Sequence, residues 1–128
     1  MCVFILPGLA LSISTKEPHM SVLLQVNFTP GPSQVAQTED DKLESARRIA
    51  ELPGLSWKIW IHDEENTTRG GIYLFDDLAH ARDWGEEQLR SRLTEAGASD
   101  ISIRYFTISE APSRITRAPL EAHEAADA

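Results

Sequence analysis

The side chains with chemical potential sit where periodicity would bury them. Gln25 and Asn27 fall on a first apolar segment, Lys58 and Trp60 on a second, Tyr73 on a third and Arg104 on a fourth. Trp84 falls within a helical stripe. A buried amide, ammonium or guanidinium costs free energy unless it is hydrogen-bonded or paired. Several together imply either an internal polar network or a cavity that holds a ligand. Core packing accounts for Trp57, Trp60 and Trp84 as well as ligand contact does, and Arg104 can pair with an acid across an interface. The signal lies in the set, not in any one member.

Sharper motifs are missing. Arg69-Gly70-Gly71 lacks the spacing and following helix of a phosphate loop. There is no Gly-x-Ser-x-Gly elbow to present a nucleophilic serine. His62-Asp63-Glu64-Glu65 offers metal-ligand types, but adjacent residues on a loop with no second cluster read as a solvated hairpin tip. No metal site is therefore expected. His80 reads as a surface histidine in preference to a proton shuttle. The single cysteine, Cys2, rules out a disulfide within this chain.

The elements that must position these groups follow from spacing. Val22, Leu24, Val26 and Phe28 alternate with Leu23, Gln25 and Asn27, which is strand periodicity. Thr29-Pro30-Gly31-Pro32-Ser33 breaks it. Thr38 reads as an N-cap, with Glu39, Asp40 and Asp41 at the positive helix end. Leu43, Ala46, Ile49 and Ala50 recur at helical spacing up to Pro53-Gly54. Leu55 to His62 is a second strand, with Leu55, Trp57, Ile59 and Ile61 expected on one face. Ser56, Lys58, Trp60 and His62 then take the other. A third strand runs from Gly70 or Gly71 to Phe75. Asp76 or Asp77 caps a second helix carrying Leu78, Ala81, Gly85, Leu89, Leu93 and Ala96, closed by Gly97. A fourth strand spans Ile101 to Ile108, and beyond Ala111 the chain is interrupted by proline.

The order β-α-β-β-α-β predicts an α+β, ferredoxin-like fold: a four-stranded antiparallel sheet with two helices on one face. Apolar groups on both strand faces, Trp57 against Trp60 and Phe106 against Tyr105, would leave the uncovered face sticky. Two sheets packed face to face would bury it, so a homodimer forming a dimeric α/β barrel is expected.

With 128 residues and ordinary apolar content, one domain is expected, over 20–120. Residues 1–19 are expected to be a disordered extension or to precede the true start. Their apolar run is too short to span a bilayer and has no Lys or Arg before it, unlike a secretory signal. Residues 121–128 are expected to be a disordered acidic tail. The net charge of −8 opposes nucleic-acid binding. A cytoplasmic protein with no membrane partner is expected.

Four segments resemble the YdhR family of monooxygenases, in the antibiotic-biosynthesis-monooxygenase-like group. They are Pro53-Gly54-Leu55, Trp57-Lys58-Ile59-Trp60, Gly70-Gly71-Ile72-Tyr73-Leu74-Phe75 and Glu110-Ala111-Pro112-Ser113-Arg114-Ile115. The likeness covers about Met20 to Leu120. It implies the dimeric barrel and oxidation of a small aromatic or polycyclic substrate by O2, with no metal or flavin cofactor. Such chemistry needs an apolar pocket, a proton acceptor and polar groups to hold an anion. On that resemblance Tyr73, Lys58 and Trp60 are the catalytic candidates, and Trp57, Asn27, His62 and Trp84 the substrate-binding ones. Lys58 in an apolar pocket can lose its proton and act as a base, or stay charged and hold the anion. Haem-degrading relatives share an Asn at Asn27 and a Trp at Trp84, but Thr94 stands where they need a histidine. A third reading is a dimeric binding module without catalysis, since this fold hosts many roles.

Overall fold

The computed structural model describes residues 21–120, so the expectations for residues 1–19 and 121–128 lie outside the described residues. The elements are β1 (Val22–Thr29), α1 (Pro32–Val35), α2 (Glu39–Ile49), β2 (Leu55–His62) and β3 (Arg69–Phe75). Then come α3 (Leu78–Trp84), a π-turn segment (Gly85–Leu89), α4 (Arg90–Glu95), β4 (Ser99–Thr107) and α5 (Glu110–Ile115). The strands form one sheet in the order β2-β3-β1-β4 with every pairing antiparallel. This is the ferredoxin-like arrangement that the alternation of periods predicts.

One sheet face carries the core. Val22, Leu24 and Val26 of β1 and Tyr73 and Phe75 of β3 pack against Ala81, Trp84, Leu89 and Leu93. Tyr73 stacks on Phe75 with ring centroids 5.9 Å apart and meets Trp84 at 6.5 Å in a tilted contact. The second helix reaches that face by an unexpected route. Ala81, Gly85, Leu89 and Leu93 recur in steps of four residues, so a regular α-helix would rotate the stripe by about 40° per step away from the sheet. The π-turn at Gly85–Leu89 takes up that drift with its wider turn and keeps the stripe on the core. Gly85 lets the helix approach β4 closely, because a Cβ there would stand 2.5 Å from the Tyr105 hydroxyl oxygen. That hydroxyl donates to Glu86 Oε2 at 2.9 Å.

Both helix starts match their sequence signals. Thr38 Oγ1 accepts from Asp41 N at 3.1 Å while Asp41 Oδ2 accepts from Thr38 N at 3.0 Å, a reciprocal cap. Asp77 Oδ1 accepts from His80 N at 2.8 Å at the start of α3. His80 also holds Asp76 Oδ1 at 2.6 Å through Nδ1. That hydrogen bond raises the His80 pKa above its usual value, desolvation opposes it in part, and the charges of Asp76, Asp77 and Asp83 add to the rise. The folded state therefore gains stability below the unfolded histidine pKa of about 6.5, and this gain is lost as pH rises through the raised folded value. The group is well exposed, so the gain stays under about 1 kcal/mol. His80→Gln should melt below the parent at about pH 5.5, with the gap closing in alkaline buffer. A gap constant across pH would assign His80 a packing role only.

The expectation for β2 needs one correction. Leu55 pairs with Phe75 but Trp57 pairs with Leu74, so an extra residue sits in β2 at this point. The bulge turns the strand over. Leu55 packs against the helix-side core, whereas Trp57, Ile59 and Ile61 face the other way. The proline-interrupted C-terminal stretch is also more ordered than its composition indicates. It forms α5, then Trp57 Nε1 donates to Pro119 O at 2.8 Å. Leu120 is buried there, and so is Leu74, which lies on this second face beside Trp57. The rest of that face is left partly open, with Ile59 51% exposed.

Candidate functional site

Strand alternation aligns Lys58, Trp60 and His62 of β2 with Tyr73, Gly71 and Arg69 of β3, pair by pair, on the helix side of the sheet. At the β2 end of this face, between the sheet, α2 and the second helix, a cavity of about 380 Å³ opens. Val26, Phe28, Tyr73, Leu89 and Leu93 give it apolar walls, with Ile49 of α2 closing one side. Gln34 and Gln37 from the α1 region, and Asn66 from the β2–β3 loop, form a polar rim. The volume lies near the low end of small-molecule pockets.

Lys58 is the chemical centre of the cavity. Its Nζ stands 3.3 Å from the centroid of the Trp60 ring and 4.7 Å from that of Tyr73. No carboxylate pairs with it among the described residues. Burial pulls its pKa from 10.5 down to about 7, since the charged form loses water without gaining a counter-ion. The two ring faces act in the opposite sense, as their quadrupoles favour the ammonium. The amine is thus poised between base and cation near neutral pH. Room for it comes from Gly71, where a Cβ would stand 2.5 Å from Lys58 Cε.

Tyr73 is 1% exposed, and burial pushes its hydroxyl pKa up to about 12. It therefore remains an O–H donor through the physiological range and cannot serve as the base. The indole Nε1 of Trp84, close to that hydroxyl, opposes the rise in part, without reaching hydrogen-bond geometry.

The structure brings Lys58, Trp60, Tyr73 and His62 together around one cavity. His62 sits at its exposed edge, with Nδ1 3.0 Å from Asp63 O. Trp84 packs behind Tyr73 in the core and does not line the cavity. Trp57 and Asn27 lie on the opposite sheet face, where Asn27 Oδ1 accepts from Gln25 Nε2 at 3.1 Å. Asn27 and Trp84 are thus on opposite sides of the sheet, and Thr94 is exposed with its hydroxyl given to Arg90 O. The pair shared with haem-degrading relatives does not converge on one site.

The loop of His62-Asp63-Glu64-Glu65 is organised by its own polar groups. Asp63 accepts from Thr67 N and Thr67 Oγ1, each at 2.8 Å, and these bonds hold its carboxyl below the usual range. Asp76, Asp77 and His80 have the ligand types for a cation and lie close together, but their atoms are engaged in the α3 cap described above.

Sequence reasoning missed Arg69, Gly71 and Lys42 as lining residues. Arg69 Nη1 donates to Gln34 O at 2.9 Å and its Nε to Asn66 Oδ1 at 3.2 Å, which spans the rim. The signal for Gly71 was available, because a glycine in the cross-strand position beside Trp60 marks a close approach.

No curated protein matches the chain. A crystal structure of a "putative antibiotic biosynthesis monooxygenase" from Deinococcus radiodurans superposes with a TM-score of 0.55 at 15% identity, covering 70% of this chain and 94% of that one. At that identity the likeness concerns the fold. Residues 23–119 match the family model described as "Putative mono-oxygenase ydhR", and with most of its length matched, the chain belongs to that family.

Proposed function

We propose that the protein is an O2-dependent monooxygenase that oxidises a small aromatic carbon acid or phenol in the cavity at Lys58, without a metal or flavin. The observation that carries this reading is the Lys58 amine, brought to about pKa 7 on an apolar floor between two aromatic faces. A base with that pKa is half deprotonated at neutral pH, which suits general-base catalysis.

The steps balance for a substrate with an acidic CH2 flanked by rings. Neutral Lys58 takes a proton from that carbon, and the resulting ammonium rests over Trp60 and Tyr73. The carbanion gives one electron to O2, and the radical pair recombines to form a C–O bond. Lys58 returns its proton to the peroxide, and loss of the remaining C–H proton with O–O cleavage yields a carbonyl and water. One O2 is consumed for each substrate, with one oxygen atom in each product. The Tyr73 O–H can donate to the developing oxyanion, and the apolar walls exclude water from the reacting pair.

Anthrone is a suitable probe, being planar, tricyclic and acidic at one CH2. The enzyme should accelerate its oxygen uptake in a one-to-one ratio, with the label of 18O2 in the new carbonyl. Uptake no faster than the spontaneous rate between about pH 6 and 9 would favour a binding module over an enzyme.

A cytoplasmic homodimer is part of this reading. Ile59, Ile61, Ile72 and Phe106 leave apolar surface on the second sheet face. A second copy placed there would remove it from water. No helix among the described residues is long and apolar enough to cross a membrane.

A further inference from the structure

The reaction at Lys58 gives no role to the charged rim of the cavity. The chain has 20 Asp and Glu against 12 Lys and Arg. Yet the charged side chains that line the cavity are Lys42, Lys58 and Arg69, with no carboxylate among them. The net charge of −8 works against an anion at long range, but that field is screened beyond about 8 Å at physiological salt. The local composition of the rim decides what enters.

Arg69 is the fixed cation of the three. Its Nη1 and Nε are spent on Gln34 O and Asn66 Oδ1. Both partners are neutral, so they orient the guanidinium without cancelling its charge. No Asp or Glu lies within salt-bridge distance of it among the described residues. Among the described residues no hydrogen bond engages Nη2, and Arg69 itself is half-buried at the cavity edge. A partly desolvated guanidinium held by neutral groups is a receptor for a planar anion.

We propose that the cavity takes a planar aromatic acid, with its carboxylate held by Arg69 at the rim and its rings laid along the apolar walls towards Lys58. This rests on the cavity being the substrate site. It adds that the substrate carries a permanent anion distinct from the carbon or hydroxyl that Lys58 deprotonates. The guanidinium at the rim and the amine on the floor, at separate points, orient a flat molecule that apolar walls alone would leave free to turn.

The test is calorimetric titration with 2-naphthoate and with its neutral isostere 2-naphthamide. The acid should bind about tenfold more tightly at low salt, and added salt should narrow the ratio. Arg69→Gln should bring the acid-to-amide ratio close to one, and Arg69→Lys should restore part of it. Because the amide reports on the same walls in the same variant, a general loss of the cavity is separated from a loss of charge recognition. The wild-type ratio stands as a test by itself if R69Q does not fold. Equal wild-type affinities would overturn anion recognition and leave the cavity as the substrate site. A preference that survives R69Q would remove Arg69 from the role. Binding of neither probe would overturn both the anion proposal and the cavity as an aromatic site.

Discussion

Lys58→Met should lower kcat for the anthrone reaction by about 10²–10⁴-fold, the range for loss of a general base, while making the protein more stable at neutral and acidic pH. The two effects share one cause. In the folded state the Lys58 pKa is depressed from 10.5 to about 7 by burial. The unfolded chain therefore binds a proton that the folded chain resists. Below pH 7 the folded state carries the full desolvation cost, at most about 5 kcal/mol for a displacement of this size and less after the ring contacts are counted. Stability should rise with pH between about 7 and 10.5, because there the unfolded state holds more protons than the folded one. Methionine keeps the volume and removes the titration. The melting temperature of Lys58→Met should thus exceed that of the parent below pH 7, and the two should converge towards pH 10. A variant that is inactive but no more stable at low pH would mean that Lys58 is well hydrated, and the base assignment would go with it.

How far the sequence disclosed this arrangement depends on what each signal measures. Alternation marks which residues of one strand share a face, and it placed Lys58, Trp60 and His62 together correctly because β2 is regular there; that Tyr73 joins them depends on the register with β3, which alternation does not carry. It failed at Leu55, where a bulge inserts a residue between Leu55 and Trp57 and flips the face without disturbing the hydrophobic run. Helix caps were legible at Thr38 and Asp77 because they depend on local side-chain-to-backbone bonds. The π-turn was not read, although its trace is present in the stripe of four-residue steps from Ala81 to Leu93. Arg69 was out of reach for another reason: its partners Gln34 and Asn66 come from segments with no periodicity, brought together only by the fold. The C-terminal leg is similar, since nothing near Pro119 announces the Trp57 indole that holds it.

The adjacent glycines on β3 allow the site to be altered without disturbing the sheet. Gly70 faces the second side, where a Cβ would run into the Val26 carbonyl of the neighbouring strand. Backbone cannot move aside cheaply, so Gly70→Ala should destabilise the domain. Gly71 faces the cavity, and a Cβ there would meet Lys58 Cε at 2.5 Å and Nζ at 3.3 Å, with Tyr73 Cε1 at 3.4 Å. The obstructing group is the far end of a flexible chain, which can swing towards the rim. Alanine also costs less backbone entropy than glycine in a strand, by roughly 0.5–1 kcal/mol, so Gly71→Ala should fold at least as well as the parent. Its effect should fall on the amine. Moved towards water, Lys58 recovers hydration, which outweighs the lost contact with the Trp60 face, and its pKa climbs back from about 7 in the direction of 10.5. The first unit of that climb lowers the neutral fraction at pH 7 about fivefold and each further unit close to tenfold, so a climb of one to two units should lower kcat at pH 7 by about 5–50-fold. The loss should be recovered in part as pH is raised, and the rising limb of the pH–rate profile should move to higher pH. Loss of rate with no movement of that limb would mean that Gly71 shapes the cavity for substrate and does not tune the base.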